Sequence, residues 1–257
     1  MLNSLTNLGF NPDILIYDNS PDIQDAPLNN QEKLNIIYVA DKLNGGVSKA
    51  YNYAATIAGR KKKWLLLFDQ DTFFPTDFIQ VYIKAIQKNP TEKLFAPVML
   101  TDNDKIISPC VFKLKRGFYG KDKEPGIYSL KNRSLINCGL CINLLSFRNI
   151  GGYNEKIKLD FSDHDFVSRF NTQISDRFVL IDLKVKHQLS TALKNTLTAD
   201  IVRFDYYLEG ASQFSSSFGE ATILNINALL RALKLGVVHK RFIFIKKFVN
   251  HSLGRNA

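Results

Sequence analysis

Residues 64–71, Trp-Leu-Leu-Leu-Phe-Asp-Gln-Asp, constrain the fold more than any other stretch. Five apolar residues stop abruptly at two carboxylates, Asp69 and Asp71. An apolar run of that length bounded by charge predicts a strand buried on both faces. Such strands need helices on either side, and ligands in open α/β sheets gather outside the carboxyl ends of the strands. Two acids at that place can hold a hard divalent cation, which in turn can hold a diphosphate.

The flanking sequence repeats the alternation. Asp13–Asp18 is a short apolar run entering an Asp-Asn-Ser turn, and Leu34–Val39 predicts a second strand. Asn44-Gly-Gly follows as a loop. Val47, Ala50, Ala54, Ile57 and Ala58 then recur at helical spacing. A helix is expected from Pro75 to about Lys88, where Asn89-Pro90 stops it, and a strand over Leu94–Leu100. Residues 101–133 are polar and without clean period, and are expected as a long irregular excursion. Ile136–Leu145 reads as extended, Ser146–Ile150 as a short helix closed by Gly151-Gly152. Ser162 and Asp165 have capping-box spacing ahead of a helix reaching about Asn171, and Phe178–Val185 predicts a strand ending at His187. Beyond Leu193 the periods are helical only, over 198–212, 220–235 and a basic aromatic stretch near 241–247. The expectation is an α/β domain over 1–192 and a helical basic region over 193–257.

Composition narrows the partners. The net charge is +10, and no acidic residue follows Glu220. Positive charge therefore collects in the tail while acids collect at strand ends, which disfavours nucleic acid as a partner. No G-x-G-x-x-G follows the first strand, which disfavours a dinucleotide-dependent dehydrogenase. Cys138 and Cys141 form a C-x-x-C, but no second ligand pair stands at zinc spacing, so buried free thiols are expected. The first residues carry no basic flank and no long apolar core, so a cytoplasmic location is expected.

Four segments place acids and amides at element ends: Asp18; Asn44, Gly46, Lys49 and Asn52; Asp69-Gln70-Asp71; and Asp163 with Asp165. With Asn137-Cys-Gly139, Ile150-Gly-Gly-Tyr-Asn154, Leu159–Arg169 and Lys186-His-Gln188, these stretches stand in one order over residues 10–190. In that order the chain resembles the inverting family 2 glycosyltransferases of the GT-A fold, most of all their bacterial rhamnosyltransferase-like branch. The resemblance implies a mixed sheet flanked by helices and transfer of a sugar from a nucleoside diphosphate donor.

It also implies roles. Asp18 recognises the nucleotide base; Asn44, Gly46 and Asn52 flank the nucleotide, and Lys49 helps neutralise the diphosphate. Asp69 and Asp71 form the D-x-D element, with Asp71 on a Mn2+ or Mg2+ ion and Asp69 on the metal, ribose or sugar. His187 joins the metal or diphosphate. Asp163 is the catalytic base and Arg169 supports the same site. His164, between two acids, is expected exposed and without a role. The chemistry suits these groups. Inverting transfer needs one carboxylate to take the acceptor's hydroxyl proton, and the leaving diphosphate needs positive charge beside it.

Members of that family carry a further strand and helix ahead of the Asp18 strand. Here Leu2–Gly9 reads as the end of that helix, and the expectation is a sheet without its first strand. A truncated, non-catalytic homologue or partner subunit is the rival reading. Rhamnose is the first donor sugar expected, with a uridine diphosphate hexose or galactofuranose as the alternative, and a bacterial surface polysaccharide as product. Residues 236–250 interleave Phe242, Phe244 and Phe248 with cations, which fits a peripheral contact at the inner face of the plasma membrane and a lipid-linked saccharide acceptor.

Overall fold

The computed structural model describes residues 12–20, 35–70, 72–187 and 196–254. Strands β1 (Asp13–Asp18) and β2 (Asn35–Ala40) pair in parallel, from Asp13 opposite Asn35 to Asp18 opposite Ala40. Helix α1 (Gly46–Ile57) follows β2. The main sheet runs β3 (Trp64–Leu66), β11 (Cys141–Asn143), β5 (Leu94–Leu100), β12 (Arg177–His187), β4 (Thr72–Phe73), with β6 (Ile106–Ser108) on β5 and β9 (Gly126–Ser129) on β12. It is mixed: β12 is parallel to β5, while β11, β4, β6 and β9 pair antiparallel.

Strand β5 is buried on both faces because helices cover both. Leu94, Ala96 and Val98 face one cluster with Tyr51, Ala55, Phe147 and Phe166 from α1, α3 (Leu144–Asn149) and α4 (Ser162–Gln173). Phe95 and Met99 face the other, with Phe78 and Tyr82 of α2 (Phe78–Lys88). Trp64–Leu66 is only half-buried, against expectation. It is the end strand of the main sheet, and no described strand bridges it to the β1–β2 pair. Strand order, which the apolar run does not encode, sets that burial.

Residues 101–133 also depart from an irregular excursion. They hold β6, β9 and a three-stranded sheet of β7 (Cys110–Lys113), β8 (Arg116–Phe118) and β10 (Arg133–Ser134). These strands, two to four residues each, are too short to show a period. The chain ends in α5 (Leu197–Phe214), α6 (Phe218–His239) and α7 (Ile243–Gly254). Phe204, Leu208, Leu224, Ala228 and Phe244 form a third cluster, joined by Ile157 and Phe161 from the segment ahead of α4. Phe244 is fully buried there and Phe248 packs against it, so of the three tail phenylalanines only Phe242 stands in solvent.

Candidate active site

Two corners form where the strands end. The first follows β2. Asp41, which sequence reasoning passed over, is buried and accepts from Lys49 Nζ at 2.7 Å, Tyr17 Oη at 2.8 Å and the Gly45 amide at 3.1 Å. The Lys49 ammonium, then the Tyr17 hydroxyl, hold its carboxyl down at about 2, outweighing desolvation. Lys49 is thus ion-paired, with its ammonium at the loop that bears Asn44. Asp18 lies one strand away and accepts from Tyr38 Oη at 2.6 Å and the Ser20 amide at 2.8 Å.

Gly46 has φ +85°, and a Cβ there would lie 2.5 Å from the Lys158 carbonyl oxygen. Only glycine lets the start of α1 approach that segment. Val47 N and Ser48 Oγ donate to the Lys158 and Ile157 carbonyls and pin α1 against the segment leading into α4.

The second corner is a cavity of about 250 Å³, lined by Tyr51, Asp69, Asn137, Asp160, Phe161, Asp163, His164 and Arg203 among others. Asp69, three residues beyond β3, accepts from Tyr51 Oη at 3.0 Å, and its amide meets Cys138 Sγ. Burial first, and the charge of Asp69 second, push the Tyr51 phenol far up, so it stays a donor. Asp163 enters from the first turn of α4.

The start of α4 is not a capping box. Phe161 occupies the cap position at φ +77°, with no side-chain cap bond. Ser162 Oγ instead accepts from Asn137, and Asp165 is taken by Arg169. A left-handed aromatic residue is strained and persists only where its surroundings enforce it. Here Tyr207 and Phe214 of α5 pack their rings at 4.9 and 5.6 Å from the Phe161 ring.

A polar network fixes the rest of that turn. Asn52 brackets Tyr153, donating to its carbonyl at 2.9 Å and accepting from its amide at 2.8 Å. Arg169 donates to the Ile150 and Gly152 carbonyls, both at 2.8 Å. Tyr153 Oη donates to Asn137 Oδ1 at 2.7 Å, and Asn137 donates to Ser162. Asn52 and Arg169 therefore converge on the Gly151–Tyr153 turn, which positions α4, and neither lines the cavity. The signal for this role was the Gly-Gly-Tyr-Asn stretch itself.

His164 is half-buried, where an exposed ring was expected. Its Nδ1 lies 2.7 Å from Ser134 Oγ and its ring 4.5 Å from that of Phe112. The short strands of 101–133 reach over α4 to cover it.

His187 ends β12 opposite Thr72, with Nδ1 at 2.7 Å from Thr72 Oγ1. It therefore stands beside the D-x-D turn; Asp71 itself lies outside the described residues. Among the described residues no group of three His, Cys, Asp or Glu side chains could hold a metal. Cys110, Cys138 and Cys141 are buried and stand outside any disulfide, and burial raises Cys141 to about 12.

Residues 1–105 match the protein-family model described as Glycosyl transferase family 2. No curated protein matches. The crystal structure of S. aureus TarS 1-349 aligns at TM-score 0.57 and 16% identity, over 92% of this chain and 66% of that one. TarS 1-349 in complex with UDP gives 0.57 and 15%, over 88% and 63%. GalNAc-T7 with UDP, GalNAc and Mn2+ gives 0.55 and 11%, over 93% and 50%. The chain thus spans about half to two thirds of the length of these structures. At such identities the likeness is one of fold: the mixed sheet flanked by helices is that of GT-A glycosyltransferases. The family model matches the first 105 residues, and the likeness to the solved structures is one of fold.

Proposed function

We propose that this chain transfers a sugar from a nucleoside diphosphate donor to a saccharide acceptor with inversion. The observation that carries the reading is one cavity lined by both Asp69 and Asp163, acids that come from a strand end and a helix start 94 residues apart. Asp163 is the base that takes the proton of the attacking acceptor hydroxyl. Asp69 is held toward the donor by Tyr51. Asp18 takes the base of the nucleotide, and Lys49, anchored by Asp41, faces the diphosphate. Asp69, Asp71 and His187 would hold Mn2+ or Mg2+, and a divalent ion there supplies positive charge for the leaving diphosphate. UDP in TarS and UDP with Mn2+ in GalNAc-T7 support the donor class and the ion.

The donor proposed first is rhamnose from its deoxythymidine diphosphate, ahead of uridine diphosphate hexoses, in assembly of a bacterial surface polysaccharide. The tail supports a peripheral membrane contact and a lipid-linked acceptor. Helix α6 has the length and apolarity to cross a bilayer, with mean hydropathy 1.4. One of its faces is committed to the protein through Leu224, Asn227, Ala228 and Ala232. The opposite side exposes Ile226, Leu230, Leu233 and Val237 near Lys234 and Arg241, which suits lying at an anionic interface. The test is a panel of nucleotide sugars with Mn2+ or Mg2+: turnover of one donor is expected, and none turned over would refute the enzyme.

A further inference from the structure

One acid of the cavity has no part in this chemistry. Asp160 stands between Leu159 and the strained Phe161, and its side chain is four-fifths buried. Two arginines of the C-terminal helices approach it. Arg231 Nη1 of α6 lies 3.4 Å from Oδ1, and its guanidinium stacks 4.2 Å from the Tyr207 ring. Arg203 Nε of α5 lies 3.9 Å from Oδ2, an ion pair too long for a hydrogen bond. Oδ2 is buried and has no hydrogen-bond partner among the described residues. A buried carboxylate oxygen left so is costly, and in a native structure it calls for a ligand or a function. Arg203 and Asp160 both line the cavity that holds Asp163.

From this we infer that Asp160 and Arg203 form the subsite that positions the acceptor, and that the acceptor residue is a neutral, hydroxyl-rich sugar. The inference rests on the sugar-transfer reading for the identity of its ligand. A hydroxyl entering the cavity meets both groups: it donates to the Asp160 carboxylate and accepts from the Arg203 guanidinium, with a small swing of Arg203 uncovering Oδ2. Arg231, behind them, holds Oδ1 and fixes the carboxylate. Charge sets the selectivity. Among the described residues the lining carries the acids Asp69, Asp160 and Asp163 and the cation Arg203, so an anionic sugar is repelled. The volume, about 250 Å³, lies below the roughly 300–1,000 Å³ typical of drug-sized ligands and suits one monosaccharide ring. The helical region therefore completes the site rather than only trailing from it.

The test is equilibrium binding of methyl rhamnoside, methyl galactoside, methyl glucoside and methyl glucuronate to the full chain, read by saturation-transfer NMR with UDP and Mn2+ present. At least one neutral glycoside binds the wild type and methyl glucuronate does not. Asp160→Asn weakens that binding about tenfold to hundredfold, the size of one lost charge-assisted hydrogen bond. Arg203→Lys keeps the charge, loses the fork geometry and gives a smaller loss in the same direction. If Asp160→Asn does not fold by its melting curve, Arg203→Lys decides. A wild type that binds no neutral glycoside, equal binding of the glucuronate, or unchanged affinity in the folded variants overturns the inference. Donor turnover, measured separately, reports on the sugar-transfer reading: a chain that binds glycosides through Asp160 yet cleaves no nucleotide sugar keeps this subsite and loses the enzyme.

Discussion

Gly210→Ala tests whether the helical region holds the base in place. Gly210 lies within α5 and faces the loop ahead of α4. A Cβ there would stand 2.6 Å from the Asp160 carbonyl oxygen, 3.3 Å from Phe161 Cδ2 and 3.5 Å from Ile157 Cγ2. Reaching an ordinary contact of 3.4 Å moves helix or loop by about 0.8 Å. Two effects oppose each other. Alanine favours a helix interior over glycine by about 1 kcal/mol, whereas overpacking a close contact costs about 1–3 kcal/mol. The net is a loss of up to about 2 kcal/mol, and a chain of this size loses about 2–4 °C in melting temperature per kcal/mol. Activity falls further than stability, since a displacement near 1 Å at a reacting group can cost about 100-fold. The assay pairs a melting curve with donor turnover, and Gly219→Ala in the first turn of α6 is the control, because its Cβ meets nothing within 4 Å. A Gly210→Ala protein that melts above wild type and turns over donor at the full rate would show that α5 does not hold the loop.

Asp163→Asn is expected to lower transfer by about 10²–10⁴-fold with donor affinity retained, and unchanged turnover removes it as the base. The Asp41–Lys49 pair makes a pH prediction. Asp41 is depressed to about 2, below the ordinary carboxylate value of 3.8, so its contribution is present above about pH 4 and is lost as pH falls through about 2. Asp41→Asn should therefore melt below wild type at neutral pH, with the gap closing toward pH 2; a constant gap refutes the pairing. The three thiols should resist alkylation in the native protein and all react in denaturant, whereas fast native labelling of Cys141 contradicts its burial. Changing Lys234 and Arg241 together to glutamate should reduce sedimentation with anionic vesicles at low salt, since each cation near such a surface contributes about 1 kcal/mol. Equal sedimentation in the two proteins removes the interfacial role of the tail.

Much of the scaffold was legible in the sequence because local patterns carried it. The apolar run over Leu94–Leu100 coincides with β5, and Asp13–Asp18 with β1. The period over Val47–Gly59 became α1. The short strands of 101–133 were not legible, since each is too short to show a period and its partner can lie far along the chain, as Gly126 opposite Leu180 does. Spacing also misled at Ser162 and Asp165, whose side chains go to Asn137 and Arg169, because Phe161 rather than Ser162 occupies the cap position.

Sequence alone determined which acids stand at element ends: Asp18, Asp69, Asp71 and Asp163 each terminate or begin a periodic segment. Tertiary structure decided what those acids do together. It gathered Asp69 and Asp163 into one cavity, and it turned Asn52 and Arg169 into struts of the turn behind α4. It also brought Arg203 and Arg231, more than 40 residues further along the chain, to Asp160. The reason is physical. Periodicity reports which face of an element is buried, whereas the partners of a polar side chain are set by packing between elements, which no local pattern records.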